Sequence, residues 1–509
     1  MATAQPLADL LDVSRSRGEI ALMSRATVLS AILPIIASIG ASSARANPML
    51  ETMGLGLHPF TSRILGTGPE VAYFAPSMLP LIDEGMSLGF LLLSDNLETN
   101  LKGRPASADI PESIYKAWQK GSDGSFSPLS FRPIPTADLP DRRNEDGGAL
   151  RSYLTVGIAK RLVQDYLAFG LLAILPTSSF QEQSSHFADE RQQFFTNSLT
   201  HELYGDRLGM MTVGFGLGGK VIDWLYWGAG LTLNLSTSTI NPVYVPDAAN
   251  QRDIMITTDT SVDTAFAPHL SLSVLPSKNV RFTATFHAAS KSETGGTNRL
   301  KFWNYDYEEG EDAVVQNFKF TNGYDPMTLA AAGSMVLPVA PGRAWHLGAE
   351  ARWRQWSNYI DRASGKPTDG WNDTVSLALG GRYETPTADF SLDLGWAPSP
   401  VPDQAGAENY VDEDRLGISA GLAADIEVLG TKLEGQIGVQ VHRLLARDTT
   451  KRDNAAYPVR DEFPDDAVDI LTGQGFPEAA GLQTNNPGYP GYSSSGWILG
   501  AGVSLKVGL

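Results

Sequence analysis

The chain has 509 residues, 42% of them apolar, no cysteine and a formal net charge of -18. Without cysteine there is no disulfide framework and no thiolate metal site, and the acidic balance argues against nucleic acid as a partner. Beyond the first 46 residues no stretch approaches the roughly 18 consecutive apolar residues of a transmembrane helix, which excludes helical spans.

The N-terminus reads as a leader. Arg25 precedes an apolar stretch from Ala26 to Gly40, followed by Ala44-Arg45-Ala46. That order is a positive n-region, an h-region and a small-x-small cleavage site. Residues 1–46 are therefore expected to be a signal peptide, with Met23 a candidate true start. Residues 47–85 are rich in glycine and proline (Gly54, Gly56, Gly66, Gly68, Pro59, Pro69, Pro76, Pro80), with Met and Leu between them. They have neither strand nor long-helix character and are expected to form a plug, the alternative being a flexible periplasmic tail, which their apolar content disfavours.

From residue 86 to 509 the pattern is period two, which puts apolar residues on one face of a strand. Expected strands are 86–93, 151–159, 166–175, 195–219, 225–236, 261–275, 279–305, 313–337, 343–356, 373–384, 388–397, 413–424, 430–443 and 496–509. The last is the clearest. Trp497, Leu499, Ala501, Val503, Leu505, Val507 and Leu509 alternate with Ile498, Gly500, Gly502, Ser504, Lys506 and Gly508 up to the final residue. A closed sheet in lipid leaves no edge unpaired, so a strand ending the chain suits barrel closure. The connections alternate between short turns, such as Pro276-Ser277-Lys278-Asn279 and Pro341-Gly342, and long loops near 94–150, 176–194, 237–260 and 444–495. The expected fold is all-β, a transmembrane antiparallel β-barrel of about fourteen strands with an N-terminal plug, in the bacterial outer membrane.

Three segments carry a family resemblance. They are Tyr73-Phe74-Ala75-Pro76-Ser77-Met78-Leu79; Arg352-Trp353-Arg354-Gln355-Trp356-Ser357 with Trp371-Asn372-Asp373-Thr374; and Ser399-Pro400-Val401-Pro402-Asp403 with Asp412-Glu413-Asp414-Arg415. In order and spacing the chain resembles the FadL/TodX transporters of hydrophobic compounds. It departs from their plug motif, where Ala75 replaces Asn and Met78 replaces Gly. The resemblance implies a plugged barrel that captures hydrophobic molecules outside and releases them sideways at a kinked third strand. It also makes Phe74 and Met78 candidate ligand contacts and Pro76 a candidate gating residue.

The residues themselves add further candidates. Two strands are apolar on both faces, through Leu91 and Leu93 in the first and Leu172 and Ile174 in the third. These side chains either form a greasy inner wall for a ligand or pack against the plug. Pro176 marks either a break in the third strand, a candidate gate, or its plain end. A fatty-acid carboxylate would need a cation in a water-poor lumen. Arg352 and Arg354 are the favoured candidates, with Arg281 and Arg382 behind them, although arginine beside Glu350 also fits a structural charge ladder. In loop 176–194, Phe180, Phe187, Phe194 and Phe195 bracket charged residues and suit a capture surface.

Gly214-Phe215-Gly216-Leu217-Gly218-Gly219 satisfies GxGxxG but opens no helix, so it is not a dinucleotide site. No HxxxH or HExxH spacing occurs, and no metal, cofactor or catalytic residue is expected. The expected function is passive uptake of long-chain fatty acids or other hydrophobic molecules by a non-enzymatic monomer in contact with outer-membrane lipid and lipopolysaccharide. The alternatives are an adhesin or structural barrel acting through its loops, and a general porin.

Overall fold

The computed structural model describes residues 48–102, 150–177, 182–188, 200–208, 211–235, 238–244, 254–262, 265–302, 314–361, 364–403, 409–428, 431–451 and 491–509. The expected signal peptide and most of the four long loops, with Phe180, Phe194 and Phe195, lie outside these residues.

Fourteen strands close into one barrel, each antiparallel to its sequence neighbour. They are β1 (Gly85–Leu101), β2 (Leu150–Val163), β3 (Leu167–Pro176), β4 (Met211–Ile222), β5 (Leu225–Leu235), β6 (Ala265–Ser277), β7 (Val280–His287), β8 (Thr328–Ala340), β9 (Arg343–Arg354), β10 (Thr374–Glu384), β11 (Ala388–Ala397), β12 (Arg415–Val428), β13 (Thr431–Thr450) and β14 (Gly491–Val507). The terminal strand β14 closes the sheet, pairing with β1 from Met86↔Val507 to Leu101↔Tyr492. Pairs β2–β3, β4–β5, β6–β7, β8–β9 and β10–β11 meet through short turns at one end. Gly342 in one of these turns has φ +68°, a left-handed conformation that glycine adopts without strain.

The alternation expected from sequence is realised in space. On β14, Trp497, Leu499, Val503 and Leu505 are exposed on the outside while Ile498 is fully buried inside. Leu88 and Phe90 of β1, Leu377 and Leu379 of β10, Leu392 and Leu394 of β11 and Ile437 and Val439 of β13 continue this apolar outer belt. Thr283, Thr285, Ser391, Ser419 and Gln440 turn inward. An apolar exterior around a polar interior, with every strand edge paired, is the arrangement lipid demands. The barrel spans a membrane.

Two expected strands, 279–305 and 313–337, overrun the barrel. β7 stops at His287 and β8 begins at Thr328. The excess, Ser290–Phe302 and Val314–Asp325, joins Ile254–Val262 in a separate three-stranded sheet. Ser290-Lys291-Ser292-Glu293-Thr294 lacks an apolar face, so it cannot line the lipid belt. Expected strand 195–219 likewise enters the barrel only at Met211. β1, β13 and β14 run longer than expected, because above the bilayer a strand needs no apolar outer face.

The segment ahead of β1 folds as three short helices, α1 (Pro48–Met53), α2 (Ser62–Leu65) and α3 (Val71–Phe74), and a 3₁₀ turn, Pro76–Leu81. It lies against inward-facing wall residues. The glycine run of β4 explains itself here. A Cβ on Gly218 would stand 2.1 Å from the Pro76 carbonyl oxygen, and one on Gly228 of β5 would stand 2.1 Å from the Ser77 nitrogen. Backbone approaches backbone so closely that only glycine fits.

Candidate functional site in the barrel lumen

Leu91 and Leu93 of β1 and Leu172 and Ile174 of β3 all face inward and are buried. They form one apolar cluster with Leu50 and Met53 of α1, Tyr73 and Phe74 of α3, Tyr153, Leu444 and Ile498. The N-terminal segment covers these four residues. Met78 belongs to a different cluster, with Val71, Leu79, Ile82, Ala159 and Ala168, beside the β2–β3 turn. It does not share a pocket with Phe74 in this arrangement. Pro76 opens the 3₁₀ turn and is wedged on Gly216 and Gly228. Pro176 is the last residue of β3, opposite Tyr153. β3 is laddered to β4 from Leu167 to Ile174 and to β2 as far as Pro176. Pro176 marks a strand end, and the wall beside β3 is closed.

Arg352 and Arg354 point inward as expected, but their partner is a carboxylate of this chain. Arg354 Nη2 donates to the Glu51 carbonyl oxygen (2.8 Å) and to Glu51 Oε2 (3.1 Å). Arg352 Nη1 reaches the same two atoms at 3.1 and 3.4 Å. Arg63 of α2 donates to Glu51 and, at 2.9 Å, to Glu350 Oε1. Arg352 Nε lies 3.0 Å from that same Glu350 oxygen. The Tyr73 hydroxyl completes the set, donating to Glu51 Oε1 at 3.2 Å. Burial opposes ionisation of Glu51, but Arg63 and Arg354 in particular hold its carboxyl well below the usual carboxylate range. The arginines expected to anchor a ligand carboxylate are thus engaged by Glu51. Of the other two candidates, Arg281 donates to the Ile64 carbonyl, and Arg382 donates to Asp389 at 3.3 Å.

Further down the wall, Asp393 of β11 accepts from the Phe60 and Thr61 nitrogens (3.1 and 3.2 Å) and the Thr61 hydroxyl (3.0 Å), and pairs with His58 Nδ1 (2.8 Å). The Ser77 nitrogen donates to Ser271 Oγ (2.7 Å), and His269 Nε2 is 2.9 Å from the Ala72 carbonyl oxygen. Glu51, Arg63 and Asp393 are not singled out from the sequence, and Glu350 appears there only as part of a charge ladder. The available signal was a full charge, Glu51 or Arg63, inside an otherwise apolar Gly/Pro segment, which has to find a partner when buried.

Asp325, at the end of the three-stranded sheet, is buried and its carboxyl is pushed up to about 7, first by burial and then by Glu51. Between the ordinary aspartate value near 4 and about 7, the folded chain keeps a proton that the unfolded chain releases. Stability from this group is complete below that window and is lost as pH rises through it. Denaturant midpoints at pH 5 and pH 8 should therefore differ less in Asp325→Asn than in the unaltered chain. Identical differences would remove Asp325 as the cause.

The Ser-Pro-Val-Pro-Asp segment, Ser399 to Asp403, acts as a clasp. The Ser399 nitrogen donates to Asp414 (2.8 Å), the Ser399 hydroxyl donates to Asp412 (2.6 Å), and Arg447 donates to the Asp412 carbonyl (3.2 Å). Trp356 and Trp371 sit 5.6 Å apart in an aromatic cluster with Tyr324, Tyr359 and Tyr410.

Fold and lumen together define a membrane-spanning barrel occupied by its own N-terminal segment. No family model matches the chain, and no curated protein matches it. Among solved structures it is similar to a Pseudomonas aeruginosa FadL homologue, at 12% identity over 91% of this chain and 99% of that one, with a TM-score of 0.49. It is also similar to the Pseudomonas putida toluene transporter TodX (11%, 92% and 99%, 0.45) and the Ralstonia pickettii toluene transporter TbuX (12%, 92% and 99%, 0.42).

Proposed function

We propose that this protein passes small hydrophobic molecules across the bacterial outer membrane, with residues 47–85 as the plug that closes the lumen. One observation carries the reading. The inner wall of this membrane barrel holds a continuous apolar cluster, Leu91, Leu93, Leu172 and Ile174, where a polar channel would be lined by water-binding groups. Apolar surface of that kind favours an apolar cargo, at about 25 cal/mol for each Å² removed from water. Uncharged molecules suit the lumen better than fatty acids. Arg352 and Arg354 already hold Glu51, so a fatty-acid carboxylate would have to displace it. Exposing the whole apolar cluster requires the segment to move off the Leu93 and Ile174 faces, and sideways release requires the β3 wall to part.

The test is uptake of radiolabelled benzene and palmitate by cells whose lipopolysaccharide leaflet is the barrier, with and without this barrel. Faster benzene entry with the barrel is the expected result, and palmitate should gain less. A large, steady ion conductance in planar bilayers, with no gain in benzene uptake, would make the protein a porin.

A further inference from the structure

The N-terminal segment does not touch the wall evenly. On β3–β5 and β9–β12 it is pressed onto glycine backbone. A Cβ would stand 2.6 Å from Leu79 at Gly170, 2.8 Å from Leu65 at Gly348, 2.3 Å from Thr61 at Gly380 and 2.8 Å from Phe60 at Gly417. On β13 and β14 the segment stands away. The nearest atom to a Cβ on Gly438 would be the Gly56 carbonyl oxygen at 3.8 Å, and on Gly502 it would be Leu91 at 3.6 Å. Between the turns at 54–59 and 68–70 and the inner faces of β12, β13, β14 and β1 lies a cavity of about 100 Å³. That is the order of the roughly 150 Å³ in which an apolar protein cavity takes up benzene. Its lining is amphipathic, with Leu57, Leu91 and Leu172 set against Gln436, Gln440 and Ser504. Two charged residues also border it and both are engaged internally: Lys506 Nζ is directed to the Thr67 carbonyl oxygen (3.4 Å) and Glu434 (3.9 Å), and Glu70 Oε1 accepts from the Thr67 and Gly68 nitrogens (3.1 and 2.9 Å).

We propose that this cavity is the station at which an uncharged hydrophobic molecule, about one aromatic ring in size, passes the N-terminal segment. Transit then follows the β13, β14 and β1 side of the lumen. The inference rests on the transport reading above. The physical reason is mechanical. The tightly packed side is held by close contacts of the segment on glycine backbone that a passing molecule would have to break, together with the Asp393 and Ser77 hydrogen bonds. On the β13–β14 side a molecule replaces empty space. The lining offers apolar surface for a ring and amides for at most one polar substituent, and its one lysine is already directed to internal oxygens.

The chain contains no cysteine, so Gly438→Cys carries a single thiol, and the same sample can be compared before and after reaction with N-ethylmaleimide. Benzene should slow the modification, and modification should lower benzene uptake at least about fivefold. Gly438→Leu with Gly502→Leu, which fill the cavity where a Cβ has room, should lower uptake similarly, in barrels that keep their heat-modifiable mobility on gels. Ala501→Leu, on the lipid face of the same strand, should not. Full benzene uptake by the modified and the filled barrels would overturn the route and leave the transport reading standing. No benzene uptake by the unaltered chain would overturn both.

Discussion

Replacing Glu51 by alanine is expected to weaken docking of the N-terminal segment by about 3–5 kcal/mol, the usual cost of stripping one partner from a buried ion pair. Arg63 and Arg352 would then share Glu350 and Arg354 would lose its ion pair, with three guanidiniums kept from water. The effect is read as amide hydrogen exchange in α1 and α2, where an opening free energy lowered by at least about 3 kcal/mol speeds exchange roughly a hundredfold. Glu51→Gln retains shape and a carbonyl acceptor and should fall between the two. Exchange within about threefold of the unaltered chain would mean that the arginines do not depend on Glu51. The same substitution bears on ligand choice. With Glu51 gone, Arg352 and Arg354 become the cation pair that a fatty acid needs, so palmitate binding should rise in this variant.

The second large effect lies where wall and segment touch backbone to backbone. Gly228→Leu puts a Cβ 2.1 Å from the Ser77 nitrogen and 2.4 Å from the Pro76 carbonyl carbon. No rotamer relieves a clash at Cβ, so either the segment or the strand has to move. β5 is laddered on both sides, to β4 and β6. The segment is held on this side by three hydrogen bonds, Ser77 with Ser271 and Ser273 and His269 with the Ala72 carbonyl. The expected result is a folded barrel with a displaced segment, seen as a clear rise in planar-bilayer conductance over the unaltered protein. Unchanged conductance from a folded Gly228→Leu barrel would mean that residues 76–77 do not close the lumen.

Much of the architecture was legible because period-two alternation is a local property. Each of the fourteen barrel strands overlaps one expected from the pattern, and the terminal run Trp497–Leu509 does close the sheet on β1. The misjudged boundaries fall where alternation continues without lipid. Ser290–Phe302 and Val314–Asp325 have strand composition but polar faces, and pattern alone could not separate an extension above the bilayer from a barrel strand. The GxGxxG run lies within a barrel strand, β4. Its purpose became visible only with Pro76 lying against it.

The site was less legible, because its partners are far apart in the chain. Inward orientation of Arg352 and Arg354 follows from strand register, which sequence determines. Their occupation by Glu51, some 300 residues earlier, follows from where the N-terminal segment docks, and no local pattern encodes that. The same holds for Leu91, Leu93, Leu172 and Ile174, whose inward facing is a matter of parity and whose burial depends on Phe74, Leu50 and Met53. Sequence alone determined a lipid-facing barrel and the polarity of each face, since alternation and turn chemistry are short-range. Tertiary structure decided which inward groups are paired, which are covered and where the lumen keeps a void. Those outcomes depend on how a separate segment fits a closed wall, and the fit is set by backbone distances across the lumen.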